Sequence, residues 1–198
     1  MNRYLLLALL FFTWIGSCAV SASADSYFPC ISCHGEQGLG SPAINAPPIA
    51  GQLEGYLARQ LANFRDGIRG YQADDAYGRQ MVLMAATLDN ASIAELASKL
   101  AMMAPWQGPS GPKLKAGAEL YQPCASCHGA EGEGNVVLLA PRIKGMDARY
   151  LARQLRNYRD GARGTKPMDT AGQTMRAALP ASLDDAGIEK ISSYIENM

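Results

Sequence analysis

Cys30-Ile31-Ser32-Cys33-His34-Gly35 and Cys124-Ala125-Ser126-Cys127-His128-Gly129 are the two stretches on which the reading of this chain turns. Both carry Cys-x-x-Cys-His, a spacing that lets two thiols add across the vinyl groups of a haem while the following histidine comes under the iron as an axial ligand. A structural zinc site would need four convergent ligands and usually more Cys or His, and a thioredoxin-like redox pair would need a βαβ setting. Neither context accompanies the motifs. The expected cofactors are two covalently bound haem c groups, attached through Cys30 and Cys33 and through Cys124 and Cys127, with His34 and His128 as axial ligands.

Working outward, a shift of 94 residues lays Cys30 on Cys124 and runs without a gap to Gly70 on Gly164; 23 of these 41 paired positions are identical. Ala46-Pro47 meets Ala140-Pro141, and Tyr56-Leu57-Ala58-Arg59-Gln60-Leu61 meets Tyr150-Leu151-Ala152-Arg153-Gln154-Leu155. The chain is one unit written twice. Pro105-Trp106-Gln107-Gly108-Pro109-Ser110-Gly111-Pro112 cannot continue a helix and reads as the linker between the copies. The expected organisation is a leader at 1–24, a first domain at 25–104, a linker at 105–112 and a second domain at 113–198.

Within each copy, Leu57, Leu61, Phe64 and Ile68 recur at helical spacing, as do Leu151, Leu155 and Tyr158, with Gly67 and Gly161 as natural terminators. A closing helix is expected over Ile93, Leu96, Leu100 and Met103 in the first copy and over Ile188, Ile191 and Ile195 in the second. Ser92 with Glu95 and Ser182 with Asp185 resemble capping boxes near their starts. Leu114, Ala118 and Tyr121 suit a short helix leading into the second motif, for which the first copy shows no counterpart. Strand signals are poor throughout, so the expected class is all-α, built from two tandem haem domains.

The second iron ligand follows from stoichiometry and from the repeat. His34 and His128 are the only two histidines, which excludes bis-His ligation and leaves a methionine thioether as the natural sixth ligand. Of nine methionines, Met81 maps by the same offset onto Met175, whereas Met84 maps onto Ala178. Met81 and Met175 are the expected distal ligands; Met84 and Met168 are the next candidates, and core packing is the ordinary alternative for any methionine. Pro47 and Pro141 each follow their histidine by 13 residues, where loop backbone can accept the proton of the far ring nitrogen or simply punctuate the loop. Arg59 and Arg153, with Arg65/Asp66 and Arg159/Asp160, are equivalent in both copies; a solvated face or local ion pair is the default, and haem propionates or the contact between units the functional alternative.

Arg3, an apolar run from Leu5 to Ile15 and Ala22-Ser23-Ala24 read as an export signal cleaved before Asp25, too short to span a membrane. Ile15-Gly16-Ser17-Cys18 resembles a degenerate lipobox, so lipidation of Cys18 and a membrane tether form the alternative. Cleavage after Ala24 leaves four cysteines, all inside the motifs, and none for a disulfide. The formal charge is zero but unevenly placed: residues 25–107 carry 5 Lys+Arg and 8 Asp+Glu, and residues 108–198 carry 12 and 10. No basic face dominates, which argues against nucleic-acid binding. The uneven charge would instead orient docking with redox protein partners.

Cys-x-x-Cys-His-Gly, a Pro-containing loop ending at Gly51 or Gly145, Tyr-Leu-x-x-Gln-Leu-x-x-aromatic-Arg-Asp-Gly, a Met and a closing helix together resemble the cytochrome c4 family of di-haem class I cytochromes. The resemblance covers nearly the whole chain after residue 24. It implies two cytochrome c folds related by a pseudo-twofold axis, with His/Met haems whose propionate edges approach each other. It also implies periplasmic electron delivery, often toward a terminal oxidase. Against an enzyme such as a di-haem peroxidase stand the absence of a third histidine and the paired Met, which together leave no open iron position. A permanent subunit of a membrane dehydrogenase or oxidase would share the carrier's chemistry.

Overall fold

The computed structural model describes residues 26–198 other than 110, 113 and 114; the leader, the Cys18 alternative and Leu114 fall outside these residues. Among the described residues there are eight α-helices, four in each copy. In the first copy they are α1 (Phe28–His34), α2 (Glu54–Arg65), α3 (Ala76–Ala85) and α4 (Asn90–Met102). The second repeats them as α5 (Lys115–His128), α6 (Ala148–Arg159), α7 (Thr170–Ala178) and α8 (Asp185–Glu196). Two isolated antiparallel bridges, Ser41 with Ala46 and Asn135 with Ala140, are the only sheet-like pairing among the described residues.

Each unit is a small helical cluster. Helix α4 packs on α2, and α8 packs on both α5 and α6. Tyr27, Leu57, Leu96, Ala97 and Leu100 form the first core, and Tyr121, Leu151, Ile191 and Ile195 form the second. The loop after each motif is tied to the closing helix by one backbone bond, Gly51 N–H to Leu100 O at 2.9 Å and Gly145 N–H to Ile195 O at 3.0 Å. Trp106 of the linker donates its indole N–H to Gly145 O, which docks the connection onto the second unit.

Several local expectations need correction. The closing helices are capped by Asp89, which accepts from Ser92 N–H, and by Asp184, which accepts from Gly187 N–H. An ionised carboxylate is a stronger acceptor than a hydroxyl and also complements the helix dipole, so the aspartates take the cap and Ser92 lies inside the first turn. Helices α3 and α7 were not anticipated, and they carry Met81 and Met175. Ile68 lies beyond the end of α2, which stops at Arg65 ahead of Gly67 at φ 66°.

The helix leading into the second motif is continuous with it, since α5 runs through Pro123 to His128. Helix α1 has 7 residues against the 14 of α5, yet its preceding Tyr27 stands where Tyr121 stands in the repeat. Each phenol is buried and donates to a carbonyl just past its own motif, Gly35 O or Gly129 O, at 2.6 Å. Burial pushes the Tyr27 phenol up to about 12, assisted by Cys30, so it stays a donor across the physiological range. Tyr121→Phe should cost about 1 kcal/mol in chemical denaturation by leaving Gly129 O without its donor, while the fold is kept.

The two units meet across an approximate twofold axis. Arg59 donates to Leu139 O at 2.8 Å, and its equivalent Arg153 donates to Asn45 O at 3.2 Å. Asn45 and Leu139 are themselves equivalent, and both adopt left-handed backbone, at φ 59° and 56°. That conformation is ordinary for Asn and strained for Leu. Tyr71 and Thr165, separated by 94 in sequence, hydrogen-bond to each other, which places them on the axis. Some contacts between the units break the symmetry; in one of them Gln52 donates to Arg142 O and accepts from Arg142 N–H, both at 2.8 Å. The equivalent positions hold Met146 and Pro48, and proline has no N–H to give.

Candidate functional site

The motif histidines close their helices. His34 ends α1 and His128 ends α5, both 6 % exposed, and Gly35 and Gly129 then turn the chain at φ 76° and 85°. His34 Nδ1 lies 2.8 Å from Pro47 O and His128 Nδ1 lies 2.9 Å from Pro141 O. A carbonyl can only accept, so Nδ1 carries the proton and donates. Nε2 is thereby left with its lone pair, the form required of a metal ligand. Burial lowers the pKa of both rings, partly opposed by these bonds, and so favours the neutral imidazole.

Cys30, Cys33 and His34 line a cavity of about 380 Å³ together with Met81, Leu57, Phe64, Leu96 and Leu100. Burial, then the neighbouring Cys127, pushes the Cys124 thiol of the second motif up to about 11. Met81 is half-buried on α3, and Met175 is half-buried at the equivalent place on α7. Met84 also lines the first cavity but is 45 % exposed, and Met168 is 79 % exposed ahead of α7.

The helices bearing Met81 and Met175 are held by residues that sequence reasoning missed. Asp75 caps α3 through Gly78 N–H at 3.1 Å, and Asp169 caps α7 through Gly172 N–H at 3.0 Å. Both carboxylates are 6 % exposed. The signal was available, since Asp75 and Asp169, and Gly78 and Gly172, also obey the 94-residue offset.

The first cavity is not walled by its own unit alone. Met146, Tyr150, Arg153 and Gln154 of the second unit close it. The buried Nε–H groups of Arg59, Arg69, Arg153 and Arg163 have no acceptor among the described residues. Four unpaired cationic donors suit the carboxylates of a haem, just as the apolar walls suit its macrocycle and the thiols its vinyl groups. The residues present therefore fit the cofactor that the motifs imply.

Comparison with known proteins agrees with this geometry. The family model described as Cytochrome c matches twice, over residues 23–100 and 114–198. Cytochrome c4 of Azotobacter vinelandii is 36 % identical over 182 residues, covering 85 % of this chain and 84 % of that protein. A thiosulfate dehydrogenase electron acceptor of Stutzerimonas stutzeri is 31 % identical, over 85 % of this chain and 78 % of that protein. Among solved structures, reduced recombinant cytochrome c4 from Pseudomonas stutzeri superposes with a TM-score of 0.72 at 30 % identity, covering 87 % of this chain and 94 % of that one.

Proposed function

Because this chain belongs to the cytochrome c family, in its di-haem cytochrome c4 branch, we propose that it carries single electrons in the periplasm from respiratory donors to an acceptor such as a terminal oxidase. The chain carries two covalently bound haem c groups and is an electron carrier, not an enzyme. Each haem, when bound, supplies a one-electron ferric/ferrous couple. In the proposed assignment Cys30 and Cys33 hold one group and Cys124 and Cys127 the other. His34 with Met81 and His128 with Met175 would hold the two irons.

The observation that carries this reading is the fixed tautomer of both histidines, with His34 in a cavity that Met81 also lines. His34 offers Nε2 because Pro47 O holds Nδ1, Met81 offers an uncharged soft sulfur, and the cavity that both line is largely apolar. A site with both axial positions filled by protein moves electrons without binding substrate. Such ligation also raises the reduction potential, which suits delivery toward oxidising partners. The relative described as an electron acceptor of thiosulfate dehydrogenase supports a sulfur-compound-oxidising enzyme as one class of donor. Among the described residues no helix is long and apolar enough to cross a membrane, and a tether through Cys18 would change how the carrier reaches its partners, not its chemistry.

A potentiometric titration followed by visible spectroscopy tests the proposal. Two one-electron waves are expected, with the thioether-to-iron band of Met ligation in the oxidised protein and no rapid binding of carbon monoxide to the reduced form. Rapid carbon monoxide binding to native protein would reveal an open iron and overturn the closed-site reading.

A further inference from the structure

Gln60, Arg69, Gln154 and Arg163 close a ring across the boundary between the units. Arg69 donates to Gln60 Oε1 at 2.8 Å and to Gln154 Oε1 at 3.0 Å. Arg163 donates to Gln154 Oε1 at 2.6 Å and to Gln60 Oε1 at 3.1 Å. Gln60 and Gln154, like Arg69 and Arg163, are 94 residues apart, so the ring is its own image under the twofold. Each guanidinium also lies over an equivalent aromatic ring, Arg69 over Phe64 at 4.4 Å and Arg163 over Tyr158 at 4.3 Å.

Its electrostatics are unusual. Arg69 and Arg163 are 8 % and 4 % exposed, and no carboxylate of the described residues lies within ion-pairing distance of either. The nearby buried carboxylates of Asp75 and Asp169 are committed to capping α3 and α7. Glutamine oxygens accept from the terminal NH groups of both guanidiniums without cancelling their charge, and a guanidinium does not deprotonate in a protein. Two positive charges therefore stand at the axis in a buried setting with no carboxylate of the described residues to cancel them. Their field reaches the cavity wall: burial pushes the Tyr150 phenol up, and the charges of Arg69 and Arg163 override that and pull it down.

We propose that Arg69 and Arg163 form a shared cationic centre that raises the reduction potentials of both haems together, with Gln60 and Gln154 as the neutral acceptors that hold them there. The inference rests on the haem assignment above. Arg69, Gln60 and Gln154 line the first cavity, and the twofold sets Arg163 and the same glutamines in the matching relation to the second site. A fixed cation in a low-dielectric surround disfavours the oxidised iron, which carries one more positive charge than the reduced iron. Because the ring lies on the axis, its effect is common to both units, whereas axial ligands act on one haem each.

Gln60→Glu is the decisive variant, because it keeps the side-chain shape and the oxygen that accepts from both arginines, replaces the amide NH2 by a second oxygen, and adds one negative charge between the guanidiniums. Both midpoint potentials are expected to shift downward in that single variant, with the thioether band unchanged. Gln154→Glu should give the same joint shift from the opposite unit. Arg69→Lys should keep both potentials near native while lowering the melting temperature, because it keeps the charge and loses the two-armed fork. A potential change confined to one haem, or unchanged potentials in both folded Glu variants, would overturn the proposal and leave the ring a structural bridge. Failure of the underlying haem assignment would appear separately, as a missing thioether band or a single haem in the native protein.

Discussion

Replacing Met175 with alanine should abolish the thioether-to-iron band of the second haem and lower its potential, while the first haem keeps both. The second unit is the cleaner place to ask. Met81 and Met84 lie three residues apart on α3 and so share a face, which gives the first iron a neighbouring sulfur to capture if Met81 is lost. In α7 the position corresponding to Met84 is Ala178, and Met168 is 79 % exposed outside the helix. No second sulfur is therefore carried on the same helix face. The vacated iron position should then take up carbon monoxide rapidly in the reduced protein, a gain of binding that simple unfolding would not produce with one native band intact. In the first unit the corresponding experiment needs Met81→Ala beside Met84→Ala. A band that survives M175A unchanged would remove Met175 from the axial position, and a first-haem band lost in M84A alone would transfer that role to Met84.

The contrast between Met81 and the helix that carries it shows what the chain makes legible. Covalent chemistry is read directly: Cys-x-x-Cys-His has one spacing and two copies, and the offset that relates them reaches Met81 and Met175 without any knowledge of secondary structure. Helix α3 was missed because the segment Ala76–Ala85 is short, contains Gly78 and lies between loops, so no apolar period develops along it. The buried face of α2 was only half visible for a different reason. Leu57 and Phe64 follow the expected stripe, but Gln60 and Asn63 are buried beside them, at 8 % and 7 % exposure. A period search ranks a glutamine as solvent-facing. Here its partners are Arg69 and Arg163, the second of which lies 103 residues away, and only the assembled pair of units brings them together. Tyr27 and Tyr121 mark a third limit, since the repeat extends past the first cysteine to a residue whose role depends on the Gly35 carbonyl that its hydroxyl meets. Local patterns thus disclose the cofactor's attachment, while the polar groups that join the two units emerge from contacts that span the linker.

Gly164→Ala should be among the most destabilising single-methyl additions in the molecule, by about 2–6 kcal/mol, because two independent costs fall on one atom. Gly164 has φ 72°, in the left-handed region that alanine adopts only with strain, at about 1–3 kcal/mol. Its Cβ would also overlap the backbone carbonyl of Gly172, in the first turn of α7, and a backbone group cannot rotate away as a side-chain tip can. The overlap adds about 1–3 kcal/mol if the helix yields, and yielding carries Met175 with it. Loss of stability should therefore be accompanied by a weakened thioether band on the second haem, which a cost confined to the turn would not cause. Gly172→Ala probes the other side of the same approach. Alanine would favour the helix by up to about 1 kcal/mol, but its methyl would collide with the Asp169 carboxylate that caps α7, and losing that cap costs about 0.5–2 kcal/mol. Asp169 is also held by Asn63 of the first unit at 3.4 Å, so it has little room to give and destabilisation should win. Gly55 supplies the control. It lies exposed in α2 with nothing within 4 Å of an added Cβ, and Gly55→Ala should stabilise by up to about 1 kcal/mol. Thermal unfolding of G164A, G172A and G55A beside the native protein would check the order. If G164A melted no lower than G55A, the close backbone approach that holds α7 in place would not be what positions Met175.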